Sequence, residues 1–296
     1  MTRIEPDDTS QGGAKHDRAI AYLMHLERLL MEGLGSALAE EEIPPDGGRV
    51  LDVACGSGSW VLELAFQYPG VEVLGIDSHP ELIERARVQA WARNLEHVSF
   101  QMVTDVESLA LPAASFDLIH GRLLSLCLAP KAWPRLLAEC CRLLKPGGKL
   151  SLIESEGPLT TSLAIEYDWC LVSKALQRAG RSFSVDGRHL GITVVLPRLL
   201  RQAGLLDVRV RSHLIEWSQG SETHLAGCKA FLSSFKRFAS LILTTGVASK
   251  EELEQLEEQT LTELQDEDFC ALWPLLTVWG RKPVSPDELP PERDWW

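Results

Sequence analysis

The sequence predicts an α/β protein: a seven-stranded, mostly parallel sheet with an antiparallel last strand, helices on both faces and a helical cap. Three observations point to it. The apolar run VLDV from Val50 breaks into the glycine turn ACGSG and then a helical pattern, a unit that brings backbone close to a nucleotide-like ligand. A second apolar run, VEVLGID, ends on an acid at Asp77, nineteen residues after Gly58, where a carboxylate can grip a ribose. Strand and helix signals then alternate from 49 to about 154, which requires right-handed crossovers and a parallel sheet with ligands at the carboxyl ends of its strands.

The elements follow in order. An amphipathic pattern predicts a helix over 19–38. Residues 50–54 read as a buried strand, 59–68 as a helix, 71–76 as a strand, and 79–94 as a helix with Pro80 in its first turn. Strands are expected at 98–103 and 115–120, and a helix over 132–144 closed by a Pro146-Gly147-Gly148 turn, with a fifth strand at 149–154. Beyond Glu154 the rhythm changes to helices at 163–179 and 193–203, a strand at 208–217, an acidic helical stretch over 222–268 and a last strand at 275–283, the final two able to pair antiparallel. The expected organisation is an N-terminal helical lid (1–45), a ligand-binding core (46–156), a helical cap (157–204), the last two strands with a helical insertion (205–283, insertion 218–274) and an irregular Pro-rich tail (284–296).

Composition narrows the function. With 296 residues, 45% hydrophobic and 24% charged, the chain can bury a large core without a covalent staple. A formal charge of -13, without basic clusters interleaved with aromatics, argues against a nucleic-acid partner. The seven cysteines form no CxxC pair and have no histidine at metal-ligand spacing, so no metal is expected and the thiols read as reduced. No membrane span or targeting segment is read, and the expected location is the cytoplasm.

VLDVACGSG, GIDSHPELIERAR, TDVESLALPAASFDLIHGRLL and RLLKPGGKLSLIE occur in the order typical of class I S-adenosylmethionine-dependent methyltransferases, which the chain resembles over about 48–156. FDLIHGRLL and Trp133-Pro134-Arg135 resemble more closely the small-molecule and secondary-metabolism branch, which includes fungal regulators of that fold. The resemblance implies a Rossmann-like core, S-adenosylmethionine as cofactor with S-adenosylhomocysteine as product, and transfer of a methyl group to oxygen, nitrogen or carbon of a small molecule. A monomer or homodimer is expected. The loop itself argues against a dinucleotide, because bulky Val61 stands where the third glycine of a pyrophosphate-binding turn belongs.

The resemblance also assigns residues. Gly56 and Gly58 let the backbone approach the methionine and ribose, Asp52 orients the ammonium through water or a direct bond, and Ala54 and Ser57 complete the loop, with the Ala54 methyl expected to point away from the ligand where many members carry glycine. Asp77 takes the ribose hydroxyls, or caps the following helix; Ser78 and Leu82 pack around adenine, and Asp105 with Val106 meets the adenine edge. His120 ends a strand beside the reacting centre and is a candidate general base or cofactor contact, with Arg122 after it and Tyr22 as a lid contact. Glu154, Glu156, Tyr167, Asp168, Trp169 and the loop residues Arg181, Arg188 and His189 are candidate acceptor contacts, with Tyr167 a second catalytic candidate. The alternatives are a cofactor-binding regulator, a protein methyltransferase, or a nucleotide-dependent oxidoreductase using NAD.

Overall fold

The structure, a computed structural model, describes residues 12–34 and 43–288. Its middle strand, β1 (Arg49–Val53), is apolar except at Arg49 and Asp52 and buried from Val50 onward, the burial that a strand covered on both faces requires. Strand β1 runs parallel to β2 (Glu72–Asp77) on one side and β4 (Phe116–Arg122) on the other. Strand β3 (Val98–Met102) lies beside β2, and β5 (Leu144–Ser155) beside β4, both parallel. The antiparallel strand β8 (Ala271–Arg281) inserts between β5 and the edge strand β7 (Leu206–Glu216), while the two-residue β6 (Leu159–Thr160) pairs with its first residues. The order β3-β2-β1-β4-β5-β8 reverses direction between β1 and β4, and that reversal opens a crevice at the carboxyl ends.

Helices α2 (Ser59–Gln67) and α3 (Pro80–Ala92) cover one face, closing a core of Val50, Trp60, Val61, Leu64, Ile83, Phe100 and Leu118. Helices α4 (Trp133–Leu143) and α6 (Ile192–Gln202) cover the other. The cap comprises α1 (Gly12–Leu34) packed along α7 (His224–Thr244), and α5 (Leu163–Arg178) packed on α7 and α8 (Lys250–Glu263). Local chemistry sets these starts: the Ser162 hydroxyl accepts from Ile165 N at 3.1 Å, and Ser249 with Glu252 forms a reciprocal capping box.

Three expectations change. Helix α1 is described from Gly12 to Leu34, and the predicted continuation to Leu38 lies outside the described residues. Strand β5 starts at Leu144, directly after α4, and runs through the Pro146-Gly147-Gly148 segment, with a register shift opposite Phe116 and Leu118 absorbing it. Strand β8 begins at Ala271, so the acidic helical stretch resolves into α7 and α8 and ends earlier than the periodicity suggested.

Candidate active site

After β1 the backbone turns through positive φ at Ala54 (56°), Gly56 (58°) and Gly58 (78°), a path that favours glycine. At Gly56 the requirement is also spatial, since a Cβ there would lie 1.9 Å from Oε1 of Glu27. The amide of Gly56 donates to Asp77 Oδ2 at 2.9 Å, and the amide of His79 donates to Asp77 Oδ1 at 2.9 Å, where His79 Nδ1 also lies. One carboxylate therefore joins the glycine turn to the residue before α3, without capping that helix itself: His79 is its N-cap and no side chain bonds its first turn.

These parts enclose a cavity of about 700 Å³ at the ends of β1, β2 and β4. Ala54, Gly56, Asp77, Ser78, Val106 and Arg122, all expected at the site, border it. Ala54, in the left-handed region, is one of the residues that border the cavity. Helix α1 supplies the roof through Leu23, Leu26, Glu27 and Leu30, and His79 and Cys127 complete the polar rim.

Glu27 is the residue that sequence reasoning missed. Its carboxylate accepts from Ser57 N at 2.8 Å and Ser57 Oγ at 2.5 Å. Burial pushes its carboxyl above the usual range, opposed by the Ser57 hydrogen bonds and by the positive charge of Arg122. A signal existed: Leu23, Leu26 and Leu30 form an apolar stripe at helical spacing, and Glu27 interrupts that stripe with a charge. The cavity thus presents an anion and a cation over an otherwise largely apolar floor.

Several expected residues lie elsewhere. His120 is fully buried; its ring stacks on Trp60 at 3.7 Å and its Nδ1 lies 2.8 Å from Asp52 Oδ1, beneath α2 and not in the crevice. Neither His120 nor Asp52 borders the cavity, because both point to the face of the sheet that carries Val50 and Leu118. Ser57 serves Glu27, Gly58 gives room to Phe100, which a Cβ would meet at 2.7 Å, and Leu82 is fully buried behind the wall. Asp105 turns its Oδ1 to the Glu107 amide at 2.7 Å, leaving Val106 as the wall. Tyr22 faces α7, edge-on to Phe238 at 6.2 Å, with burial raising its phenol.

On the acceptor side, Glu154 is buried and accepts from the Ser125 hydroxyl at 2.5 Å and amide at 3.2 Å; burial pushes its carboxyl up to about 8. Glu156 caps α6, accepting from Leu190 N, Gly191 N and the Thr193 hydroxyl at 2.7, 2.9 and 2.8 Å. Asp168 is buried with both carboxylate oxygens lacking a hydrogen-bond partner among the described residues, and burial pushes it up to about 7. Trp169, by contrast, lines a second cavity of about 500 Å³ beside the first, bounded by α1, α7 and β8; Tyr22 lines it too. Leu26 and Leu126 border both cavities. Tyr167 is half exposed and borders neither, His189 is exposed, Arg188 pairs with Asp186 at 2.9 Å, and Arg181 donates to Leu126 O at 2.7 Å. Among the described residues no cluster of three or more His, Cys, Asp or Glu could hold a metal, and no helix is long and apolar enough to cross a membrane.

Residues 50–148 match a family described as a methyltransferase domain. A demethylmenaquinone methyltransferase of Deinococcus radiodurans is 36% identical over 126 residues, 43% of this chain and 51% of that protein. The secondary metabolism regulator LAE1 of Cochliobolus heterostrophus is 31% identical over 175 residues, 54% of this chain and 50% of that protein, and the aklanonic acid methyltransferase DauC of a Streptomyces species is 37% identical over 119 residues, 40% of this chain and 53% of that protein. The chain spans about half the length of these curated relatives. Among solved structures, the YcgJ protein of Bacillus subtilis superposes with a TM-score of 0.53 at 21% identity, covering 88% of this chain and all of that one. A Haemonchus contortus phosphoethanolamine N-methyltransferase, solved with S-adenosylhomocysteine and phosphomonomethylethanolamine, gives 0.52 at 18% identity over 88% of this chain and 57% of that one; both likenesses concern the fold.

Proposed function

We propose, from a core that belongs over residues 50–148 to the methyltransferase-domain family, that this protein transfers a methyl group from S-adenosylmethionine to a small-molecule acceptor. The observation that carries the reading is the convergence on one cavity of the glycine turn, Asp77, Val106 and the oppositely charged pair Glu27 and Arg122. An adenosyl amino-acid ligand needs that set: acceptors for two ribose hydroxyls, an apolar wall for a purine, and one charge of each sign for a zwitterion. Asp77 holds the ribose, Ser78 and Val106 flank the adenine, Arg122 takes the carboxylate and Glu27 the ammonium. Gly56 leaves room for the Glu27 carboxylate to lie against the turn, since a Cβ there would meet Glu27 Oε1 at 1.9 Å.

When bound, the cofactor supplies a methyl group on a positively charged sulfur, which a nucleophile takes in line. The protein's part is alignment, and well-oriented reactants gain about 7 to 11 kcal/mol from proximity. Helix α1 contributes to it twice, since Glu27 reaches the first cavity and Tyr22 and Leu29 wall the second. Roofing by α1 and α7 keeps water from the reacting atoms. His120 holds Asp52 and the start of α2 in place and takes no part in proton transfer.

Calorimetry with S-adenosylhomocysteine and with NAD tests the cofactor: binding of the thioether is expected, and binding of NAD alone would refute the reading. A second reading, a cofactor-binding regulator, draws on the likeness to LAE1. Incubation with methyl-labelled S-adenosylmethionine and metabolite extracts separates the two. Label in a low-molecular-weight product supports the enzyme; tight cofactor binding with no labelled product in any fraction supports the regulator.

A further inference from the structure

The second cavity has a chemistry of its own. Trp169, Trp217, Phe231 and Trp273 line it beside aliphatic residues, and besides the indoles its polar side chains carry the hydroxyls of Tyr22, Ser155 and Ser234. Among the described residues no charged side chain lines it. Two of the indoles are seated on glycine: a Cβ on Gly157 would lie 1.8 Å from Trp169 Nε1, and one on Gly227 would lie 2.6 Å from the Trp217 side chain. Trp217 further stacks near Phe231 at 6.2 Å and 21°, while Trp273 donates its Nε1 to Glu156 O at 3.1 Å. The rings are thus held in place by backbone and hydrogen bonds, presenting flat apolar faces at little conformational cost.

We infer that this chamber is the acceptor site and selects an uncharged, flat, ring-containing molecule bearing a hydroxyl, excluding anionic and zwitterionic acceptors. The inference rests on the methyltransferase reading for the word acceptor, but its physical content concerns the chamber alone. Aromatic walls with a few hydroxyls suit stacking with one or two oriented hydrogen bonds. A carboxylate or phosphate entering it would lose its hydration without meeting a cation on the wall. Leu26 and Leu126, common to both cavities, place the entering molecule next to the donor.

The test is calorimetry on the full chain saturated with S-adenosylhomocysteine, using α-naphthol, α-naphthoate and phosphoethanolamine as probes. Naphthol is expected to bind, and naphthoate and phosphoethanolamine to bind at least about tenfold more weakly. Ser234→Phe and Ala230→Trp each fill the chamber from α7, and each is expected to weaken naphthol about tenfold or more while changing the thioether affinity by less than about twofold. Equal or tighter binding of either charged probe by the unmodified protein would overturn the inference, as would naphthol binding indifferent to both filled variants. Naphthol binding without thioether binding would leave the chamber assignment standing and remove the methyl-transfer reading, so the two failures are distinct.

Discussion

The two cavities that meet at Leu26 and Leu126 are made in different ways. The first cavity joins the glycine turn and the polar side chains at the ends of β1, β2 and β4 to a leucine-lined roof from α1 and the turn after β4. The acceptor chamber is built from large side chains on α1, α5, α7 and β8, elements joined by packing and by no single contiguous motif. On the proposed reading, the cofactor would meet a glycine turn and a carboxylate set by the sheet, whereas the acceptor would meet side chains that can be exchanged without disturbing the sheet.

The largest effect is expected at the buried His120, which borders neither cavity. His120→Ala removes the ring stacked on Trp60 and leaves the buried Asp52 carboxylate without its 2.8 Å partner. Asp52 Oδ2 has no hydrogen-bond partner among the described residues, so nothing compensates the loss. A loss of about 3 to 5 kcal/mol of stability is expected, measured by denaturant unfolding. His120→Asn retains a donor and should recover part of it. A variant that keeps wild-type stability but loses methyl transfer, with a shifted pH profile, would return His120 to the reacting centre.

Asp77→Ala comes next. The side chain holds Gly56 N and His79 N as well as facing the cavity, so cofactor affinity should fall about tenfold to a hundredfold while naphthol binding in the chamber stays within a few-fold. Equal losses in both cavities would mean that the residue holds the fold and not the ligand. Glu27→Gln should weaken S-adenosylhomocysteine by about tenfold, because the amide keeps a hydrogen bond to Ser57 but loses the charge that meets an ammonium. A deaminated cofactor analogue sharpens it: removing the amino group from the ligand should abolish the difference in affinity between the unmodified protein and the Glu27→Gln variant.

The same contrast explains what could be read from the sequence. Gly56, Asp77 and Val106 were legible because a strand, a turn and the next strand keep their spacing, and the sheet carries that spacing directly into space. His120 was misplaced by parity. It stands two residues after Leu118 and pairs in register with Asp52, so strand alternation puts both on the face that α2 covers, whereas a reading of the strand's end alone sends the side chain to the crevice. Glu27 and the chamber were not assigned because their parts are far apart in sequence: Tyr22, Trp169, Phe231 and Trp273 meet through helix packing that no local pattern encodes. Glu156 looked like an acceptor contact at a strand end, but the start of α6 claims it.

A smaller effect is expected from a buried acid that borders neither cavity. Glu154 lies at the end of β5, held by Ser125 from the turn that also carries Leu126, and burial raises its carboxyl from an ordinary value of 4.5 to about 8. The folded protein therefore binds this proton more tightly than the unfolded chain does. The stability that the protonated form contributes is present in full below about pH 4.5 and is lost as pH rises through about 8. Glu154→Gln keeps an uncharged group of the same shape next to Ser125, so its stability curve should be flatter across that window and the variant should gain on the unmodified protein above pH 8. Asp168→Asn serves as the control in the chamber wall's own helix, with its window lower, between about 3.8 and 7. Urea unfolding at a series of pH values resolves the two, and a Glu154→Gln curve parallel to the unmodified one would show that this carboxylate is ionised in the folded state and solvated or paired.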